Sequence, residues 1–334
     1  MAQGTRQKVY EALLERYGRE VADAFLRSVD AMRSAADRQR LMVAIQANDL
    51  EAVLEALRVS EAAYEDMLES LRATYIAGGK AAEAIAADIV FSARNPRAEA
   101  WLRDHSSELV QQIVQDQREA VRTVLTGAME RGANPTSTVT RLVGATDRST
   151  GKRVGGVLGL TNAQAGYVVN AQAELEAGDP ASLNSYLNRA RRDKRFDRSI
   201  EKALANGEPV PPETIRKATI AYERRLLALR AETLSRTEAM TALHQAQHEA
   251  LLQAIDAGKV KANQVRRVWR CAVDTRVRES HRFLHSDSVG LNEKFKTPSG
   301  AELLFPGDPS APAAERINCR CWVEHRIDFL ANLR

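Results

Sequence analysis

Cysteine and histidine are scarce in this chain and are concentrated where they could bind or react. The three cysteines, Cys271, Cys319 and Cys321, fall between Val265 and Phe329, together with His281, His285 and His325, half of the six histidines. Cys319 and Cys321 stand two apart on a predicted strand, so their side chains point the same way, and His281 or His285 completes a Cys2His or Cys2His2 zinc set. The plainer reading makes the cysteines small buried hydrophobes and His281 a satisfied core residue. Cys271 as a nucleophile needs a base to form its thiolate, and the sequence places none beside it. His244 and His248 stand four apart on one helix face with Glu249 adjacent, a spacing that suits zinc. Gln245, however, occupies the place where a metalloprotease helix carries its glutamate, so a solvated helical face is expected.

The elements that must hold these groups follow from periodicity. Val265 to Val273 alternates, with apolar residues at the odd positions and Trp269 inside, and reads as a strand. Asp274, Arg276 and His281 come directly after it. A second β-like piece at Leu303, Leu304 and Phe305 leads through Pro306-Gly307-Asp308-Pro309 to Ile317-Asn318-Cys319-Arg320-Cys321. Upstream, Pro211-Pro212-Glu213 starts the longest predicted helix, which runs through Ile215, Tyr222, Leu226, Leu234, Met240 and Leu251 to a stop at Gly258.

Earlier in the chain, Val9, Leu13, Tyr17, Val21, Phe25 and Val29 line one helix face. Asp49 and Ser60 are expected N-caps. Gly78-Gly79 is expected to break the helix that carries Tyr64, Met67, Leu71 and Tyr75. Asn95-Pro96 opens a long helix that should end near Gly132. The stretch from Gly144 to Gly159 fails as a phosphate loop, because Arg153 stands where a magnesium-binding Ser or Thr belongs, and a mobile basic loop is expected there. Thr161 and Gln164 form a capping box for the next helix.

A length of 334 residues suggests two or three domains, and 5% aromatic content with abundant Ala, Leu, Arg, Glu and Gln predicts a mainly α protein. No run of eighteen apolar residues exists, and the N-terminus lacks the apolar core of a signal peptide, so a cytoplasmic chain with no membrane partner is expected. Three late cysteines argue against a disulfide framework.

Charge is unevenly spread: residues 1–130 carry 16 Lys plus Arg against 21 Asp plus Glu, and the remainder carries 32 against 23. Residues 181–230 alone hold twelve basic and six acidic side chains, with Tyr186 and Phe196 interleaved. Arg189, Arg191, Arg192, Lys194, Arg195, Arg198, Arg224 and Arg225 are therefore candidates for sequence-independent phosphate contacts with steep salt dependence. The plainer reading bonds these arginines to neighbouring carboxylates.

The ordered series Trp269, Asp274, Arg276, His281, Phe295, Gly300, Pro306-Gly307-Asp308 and Ile317-Asn318-Cys319-Arg320-Cys321 resembles the C-terminal domain of the phage head-morphogenesis or minor head proteins, the Mu F-like family. Arg230 to Glu238 looks like that family's helix entering the domain, and the likeness covers roughly residues 155 to 325. Together with the helical periodicity upstream, this gives an expected N-terminal helical region (1–132), a central basic helical region ending in a long helix (133–258) and a small C-terminal Mu F-like α+β domain (259–334). The resemblance implies a non-catalytic minor head protein of a tailed phage or prophage, acting in head morphogenesis and in DNA packaging or exit. Such a protein sits in the procapsid or capsid interior, and in the host cytoplasm during assembly. Its implied partners are the portal protein and other head components, and the basic segment adds genomic DNA bound non-specifically.

Relatives often carry a Cys-x-x-Cys pair after the aspartate, which with the terminal Cys-Arg-Cys gives four sulfur ligands. The matching positions here are Arg278 and His281; one ligand is replaced by arginine, so no metal and no cofactor is expected. The resemblance also gathers Arg236, Glu238, Asp274, Arg276, His281 and Asn318. Two arginines and two carboxylates capable of bidentate bonds are expected to lock the helix onto the small sheet, in preference to acid-base work. The competing classes are a metal- or carboxylate-dependent nuclease, a toxin-like transferase and a non-specific DNA-binding scaffold.

Overall fold

In the computed structural model, residues 3–86, 88–147, 149–272, 274–329 and 331 are described. Val273, at the end of the expected alternating strand, lies outside them. The chain is mainly α with a small α+β region near its C-terminal end. The helices are α1 (Gln3–Ala35), α2 (Arg38–Gln46), α3 (Leu50–Ala56), α4 (Glu65–Ala82), α5 (Pro96–Glu130), α6 (Pro135–Val143), α7 (Asn162–Ala177), α8 (Pro180–Leu187), α9 (Asp197–Asn206), α10 (Pro212–Asp256), α11 (Glu279–Phe283) and α12 (Ala313–Arg316). The strands are β1 (Ala145–Thr146), β2 (Arg153–Val154), β3 (Val265–Cys271), β4 (Ser288–Gly290), β5 (Phe295–Lys296), β6 (Glu302–Leu303) and β7 (Cys321–Ile327).

Most helix ends sit where their capping chemistry puts them. Asp49 accepts the Ala52 amide at 3.0 Å, and Thr161 and Gln164 make both bonds of the capping box, at 3.2 and 3.1 Å. α10 starts at Pro212, runs 45 residues and ends before Gly258, which takes the left-handed φ of 68°. Ser60 departs from expectation: it precedes a short 3-10 turn, Glu61–Tyr64, without a side-chain cap bond.

Gly78-Gly79 departs too, since α4 continues through it to Ala82. A Cβ on Gly78 would lie 2.7 Å from the Leu243 carbonyl oxygen, and one on Gly79 would lie 2.3 Å from the Phe91 ring. The missing side chains admit close neighbours, and that packing outweighs the roughly 1 kcal/mol that glycine costs a helix.

The chain splits by compactness into two units. One unit gathers residues 1–24, 66–107 and 232–334, and a second gathers 25–65 and 108–231.

The second unit is helical around one buried irregular segment. The expected mobile loop is a β1–β2 hairpin closed by Asp147, followed by residues 155–160, all buried. Their backbone groups are served by side chains far away in sequence. Arg33 donates to the Gly156 and Leu158 carbonyls at 3.1 and 3.0 Å, Gln117 donates to Leu160 O and accepts from Gly159 N, both at 2.7 Å, and Glu223 accepts from Gly156 N at 2.7 Å. Buried backbone polar groups need such partners. Gly159, at φ 89°, also leaves room for Val29 and Leu227, which a Cβ would meet at 2.7 and 2.6 Å.

The first unit contains the C-terminal sheet. β3 is its central strand, antiparallel to β4 on one side and to β7 on the other, with Cys271 opposite Cys321 and Trp269 opposite Val323. β5 and β6 form a separate two-stranded ribbon. Strict alternation fails in β3 because Arg267 occupies one of the odd, inward positions. It is 1% exposed and donates to the carbonyls of Gly290, Leu304 and Glu293, with its guanidinium 5.5 Å from the Phe295 ring centre. Trp269, Phe295, Leu303, Met240, Leu243 and Tyr10 share the core of this unit.

Candidate functional site

β3, α11 and the segment entering β7 bring all three thiols together. Cys319 precedes the strand and does not share its alternation with Cys321, so sequence spacing gave the wrong reason for a convergence that nevertheless occurs. Asn318, at a left-handed φ of 53°, turns the backbone just before it. Cys319 Sγ lies 3.2 Å and Cys321 Sγ 3.6 Å from His281 Nδ1. Cys321 Sγ lies 3.3 Å from Cys271 Sγ, whose thiol reaches the His281 carbonyl at 2.9 Å. All three cysteines are free and buried, and His281 is 1% exposed.

The sulfurs polarise one another. A hydrogen bond from Cys321 pulls the Cys271 thiol down to about 7, helped by His285, whose Nδ1 also accepts the Cys271 amide at 3.2 Å. Burial opposes ionisation of Cys319, but hydrogen-bond contacts with Cys321 and His281 bring it well below the ordinary thiol range. Cys321, which donates to Cys271 and lies close to Cys319, is pushed far up. One proton shared among close sulfurs gives this pattern. The turn after α11 thus brings His285 beside Cys271, a neighbour that sequence spacing did not place.

The expected polar lock divides into separate pieces. Arg236 donates to the Cys319 carbonyl at 3.4 Å, and Asn318 ties the same segment to α10 through Thr237 Oγ1 and Thr233 Oγ1, each at 3.2 Å. Glu238 takes no part in that contact; its Oε2 meets His105 Nε2 on α5 at 2.8 Å. Asp274 accepts from Arg320 Nε at 2.7 Å and from the Arg276 amide at 2.9 Å, while the exposed Arg276 guanidinium stands 3.7 Å away. Arg320 holds the Asp274 carboxyl below the usual carboxylate range. The two carboxylates have different partners and form no acid-base pair.

Thr233, Thr237 and Arg320 were missed, as was Glu315, whose Oε2 lies 3.0 Å from His281 Nε2, at ion-pair distance though off the line of a hydrogen bond. Arg278 also had no expected role: its guanidinium donates to the Ile317 carbonyl. No sequence signal singled these out, because each acts across a long loop.

His244 and His248 are buried, not solvated, which corrects the exposed helical face expected of them. His244 Nδ1 bonds Pro306 O at 2.8 Å, its ring stacks on Tyr10 with centres 4.8 Å apart, and burial lowers it to about 4. His248 is likewise lowered to about 4 by burial and by Arg267. Both rings are neutral core members.

Among the eight basic candidates, four are paired. Arg189 grips Glu174 with two bonds of 2.7 Å, Arg192 grips Asp197 at 3.0 and 2.9 Å, Arg195 meets Asp193 at 2.7 Å, and Arg225 donates to the Arg192 carbonyl at 2.5 Å. Arg191, Lys194, Arg198 and Arg224 are exposed. A cleft of about 530 Å³ opens elsewhere in the same unit, bounded by Arg141, Arg216, Thr219 and Glu223 among others. Burial raises the Glu223 carboxyl to about 7.

Comparison with known proteins reaches the C-terminal part of the chain. Residues 194–324 match the family model described as Phage Mu protein F like protein. An uncharacterized protein of Bacillus subtilis strain 168, YqbB, is 33% identical over 133 residues, 39% of this chain and 40% of that protein. The minor head protein GP7 of Bacillus phage SPP1 is 29% identical over 131 residues, 39% of this chain and 41% of that protein. The chain thus matches less than half the length of these relatives. No solved structure matches it.

Proposed function

We propose that this chain is a minor head protein of a tailed phage or prophage, a non-catalytic component of the procapsid or capsid interior that associates with the portal protein and other head components. The observation that carries this reading is the family match over residues 194–324, reinforced by a relative named as a minor head protein. The geometry agrees with it, because Asp274, Glu238, Arg236 and Asn318 are engaged in holding the fold. In this reading the protein folds in the host cytoplasm and enters the head during assembly. Exposed Arg191, Lys194, Arg198 and Arg224 lie against packaged DNA without sequence preference, and each phosphate contact releases a counterion.

Quantitative mass spectrometry of purified procapsids and virions tests this placement. A few copies per particle, co-purifying with the portal protein, are expected; absence from both particles overturns the reading. A DNA-cleavage assay with added magnesium or zinc tests the non-catalytic part. Cleavage by wild type that disappears in a folded Asp274→Ala variant would make the protein a nuclease instead.

A further inference from the structure

The arginine at position 278 removes one expected sulfur ligand, yet the fold supplies a different group in its stead. We propose that Cys271, Cys319, Cys321 and His281 form a closed Cys3His site for one structural zinc ion, with Glu315 as the carboxylate behind the imidazole.

Three observations converge on this site. The first is spacing. His281 Nδ1, Cys319 Sγ and Cys321 Sγ all lie within 4.8 Å of one another, with the two sulfurs at 3.2 and 3.6 Å from the nitrogen, and Cys271 Sγ is 3.3 Å from Cys321 Sγ. Ligands at about 2.3 Å for sulfur and about 2.0 Å for nitrogen, arranged tetrahedrally, are separated from each other by roughly 3.5–3.8 Å. The His281, Cys319 and Cys321 donors therefore already outline one face of such a tetrahedron, and Cys271, beside Cys321 but outside that set of three, has to move in to complete it; the Cys271–Cys321 sulfur pair is far from the roughly 2.05 Å of a disulfide.

The second is the orientation of His281. Its Nδ1 faces the thiols and its Nε2 faces Glu315 Oε2 at 3.0 Å. Glu315 is itself held by Ser280 Oγ at 2.9 Å and Ser299 Oγ at 3.3 Å. The carboxylate lies off the line of a hydrogen bond in this structure; a small turn of the ring would let Nε2–H donate to it and leave the Nδ1 lone pair for the metal, the usual support of a histidine ligand.

The third is enclosure. Cys271, Cys319, Cys321 and His281 are 6%, 0%, 2% and 1% exposed, which suits a structural ion rather than one that keeps an open position for water. The ligands come from β3, α11 and the lead into β7, three segments spread over fifty residues, so one ion would cross-link the domain.

Binding sends the remaining thiol protons to solvent, and Zn2+ with three thiolates and a neutral imidazole makes a complex of net charge −1. Arg236, whose guanidinium reaches the Cys319 carbonyl at 3.4 Å, is a nearby compensating cation. Arg278 is no ligand in this scheme, because its guanidinium is bound to the Ile317 carbonyl. His285 contributes to Cys271 from outside and is not in the set.

The test is metal analysis of the purified full chain, followed by competition for zinc alone with a chromophoric chelator. About one zinc per chain is expected. Cys319→Ser and Cys321→Ser should abolish stoichiometric binding, Cys271→Ser should weaken it at least tenfold, and Glu315→Gln should weaken it about 10–100-fold.

Substituted chains that fail to fold do not blunt the test, because wild type reloaded with cobalt should show thiolate-to-metal charge transfer, and chelator should lower its melting temperature. A folded, metal-free wild type with three freely titrating thiols and a melting temperature indifferent to zinc overturns the proposal. So does a Cys271–Cys321 disulfide found by peptide mapping of protein purified without added oxidant. Undiminished zinc affinity in Cys271→Ser overturns the fourth ligand.

Discussion

The two compact units solve the problem of buried polarity with different residues. All six histidines and all three cysteines belong to the unit made of residues 1–24, 66–107 and 232–334, and none belongs to the other. The first unit buries neutral bases, His244, His248 and His325, each kept from protonating chiefly by desolvation. The second buries Arg33 and Glu223 around a glycine-rich segment whose amides and carbonyls they serve. Residue types that look chemical are partly architectural in the first unit. Residues that look ordinary do the more demanding polar work in the second.

Removing Arg33 should break the second unit most severely. Arg33→Met leaves the buried Gly156 and Leu158 carbonyls without their donor and should cost about 3–5 kcal/mol, measured by urea unfolding.

The units should also respond to pH in opposite directions. Above about 6.5, His244 and His248 are neutral whether folded or unfolded. Between about 6.5 and 4 only the unfolded chain takes up their protons, so stability is lost as pH falls, by about 3 kcal/mol for each ring. Hydrogen exchange resolved by segment should show acid opening in residues 232–334, and His248→Gln should remove a large part of the slope.

Glu223 works the other way. Below about 4.5 it is protonated in both states, and between 4.5 and about 7 only the folded chain keeps the proton. Stability is therefore lost as pH rises through 7, by about 3 kcal/mol. Glu223→Gln should flatten that loss; an unchanged profile would remove the contrast between the units.

Smaller effects sharpen the same contrast. Gly78→Ala pushes a methyl against the Leu243 backbone and should destabilise the first unit by about 1–3 kcal/mol in thermal unfolding. Alanine at exposed Arg191, Lys194, Arg198 and Arg224 should change stability by less than about 0.5 kcal/mol. The same variants should make the salt dependence of DNA binding shallower, by roughly 0.9 in logarithmic slope for each phosphate that is no longer neutralised.

Periodicity and capping chemistry made the long helices legible, since Pro96, Pro212, Asp49 and Thr161 act within a single turn. The sheet was legible as strands but not as a site. The pairing of β3 with β7 places Cys271 opposite Cys321 across fifty residues, and sequence spacing does not encode that register. His244 and His248 misled because a helix face is solvated or buried according to what packs on it, here Tyr10 and the Pro306 carbonyl. Gly78-Gly79 and the 155–160 segment misled for a related reason. Glycine marks a break when nothing approaches and a close contact when something does, and only the fold distinguishes the two.

The position of Tyr10 carries a consequence for synthesis. This residue of α1 stacks on His244 and lies 6.3 Å, centre to centre, from Trp322, so its docking surface is made long after it in translation. At about 5–20 residues per second, α1 leaves the ribosome roughly 15–60 s before the strand that packs near it. During that interval its apolar stripe is a natural target for a chaperone, and a chain cut short before β7 would leave α1 without that part of its docking surface.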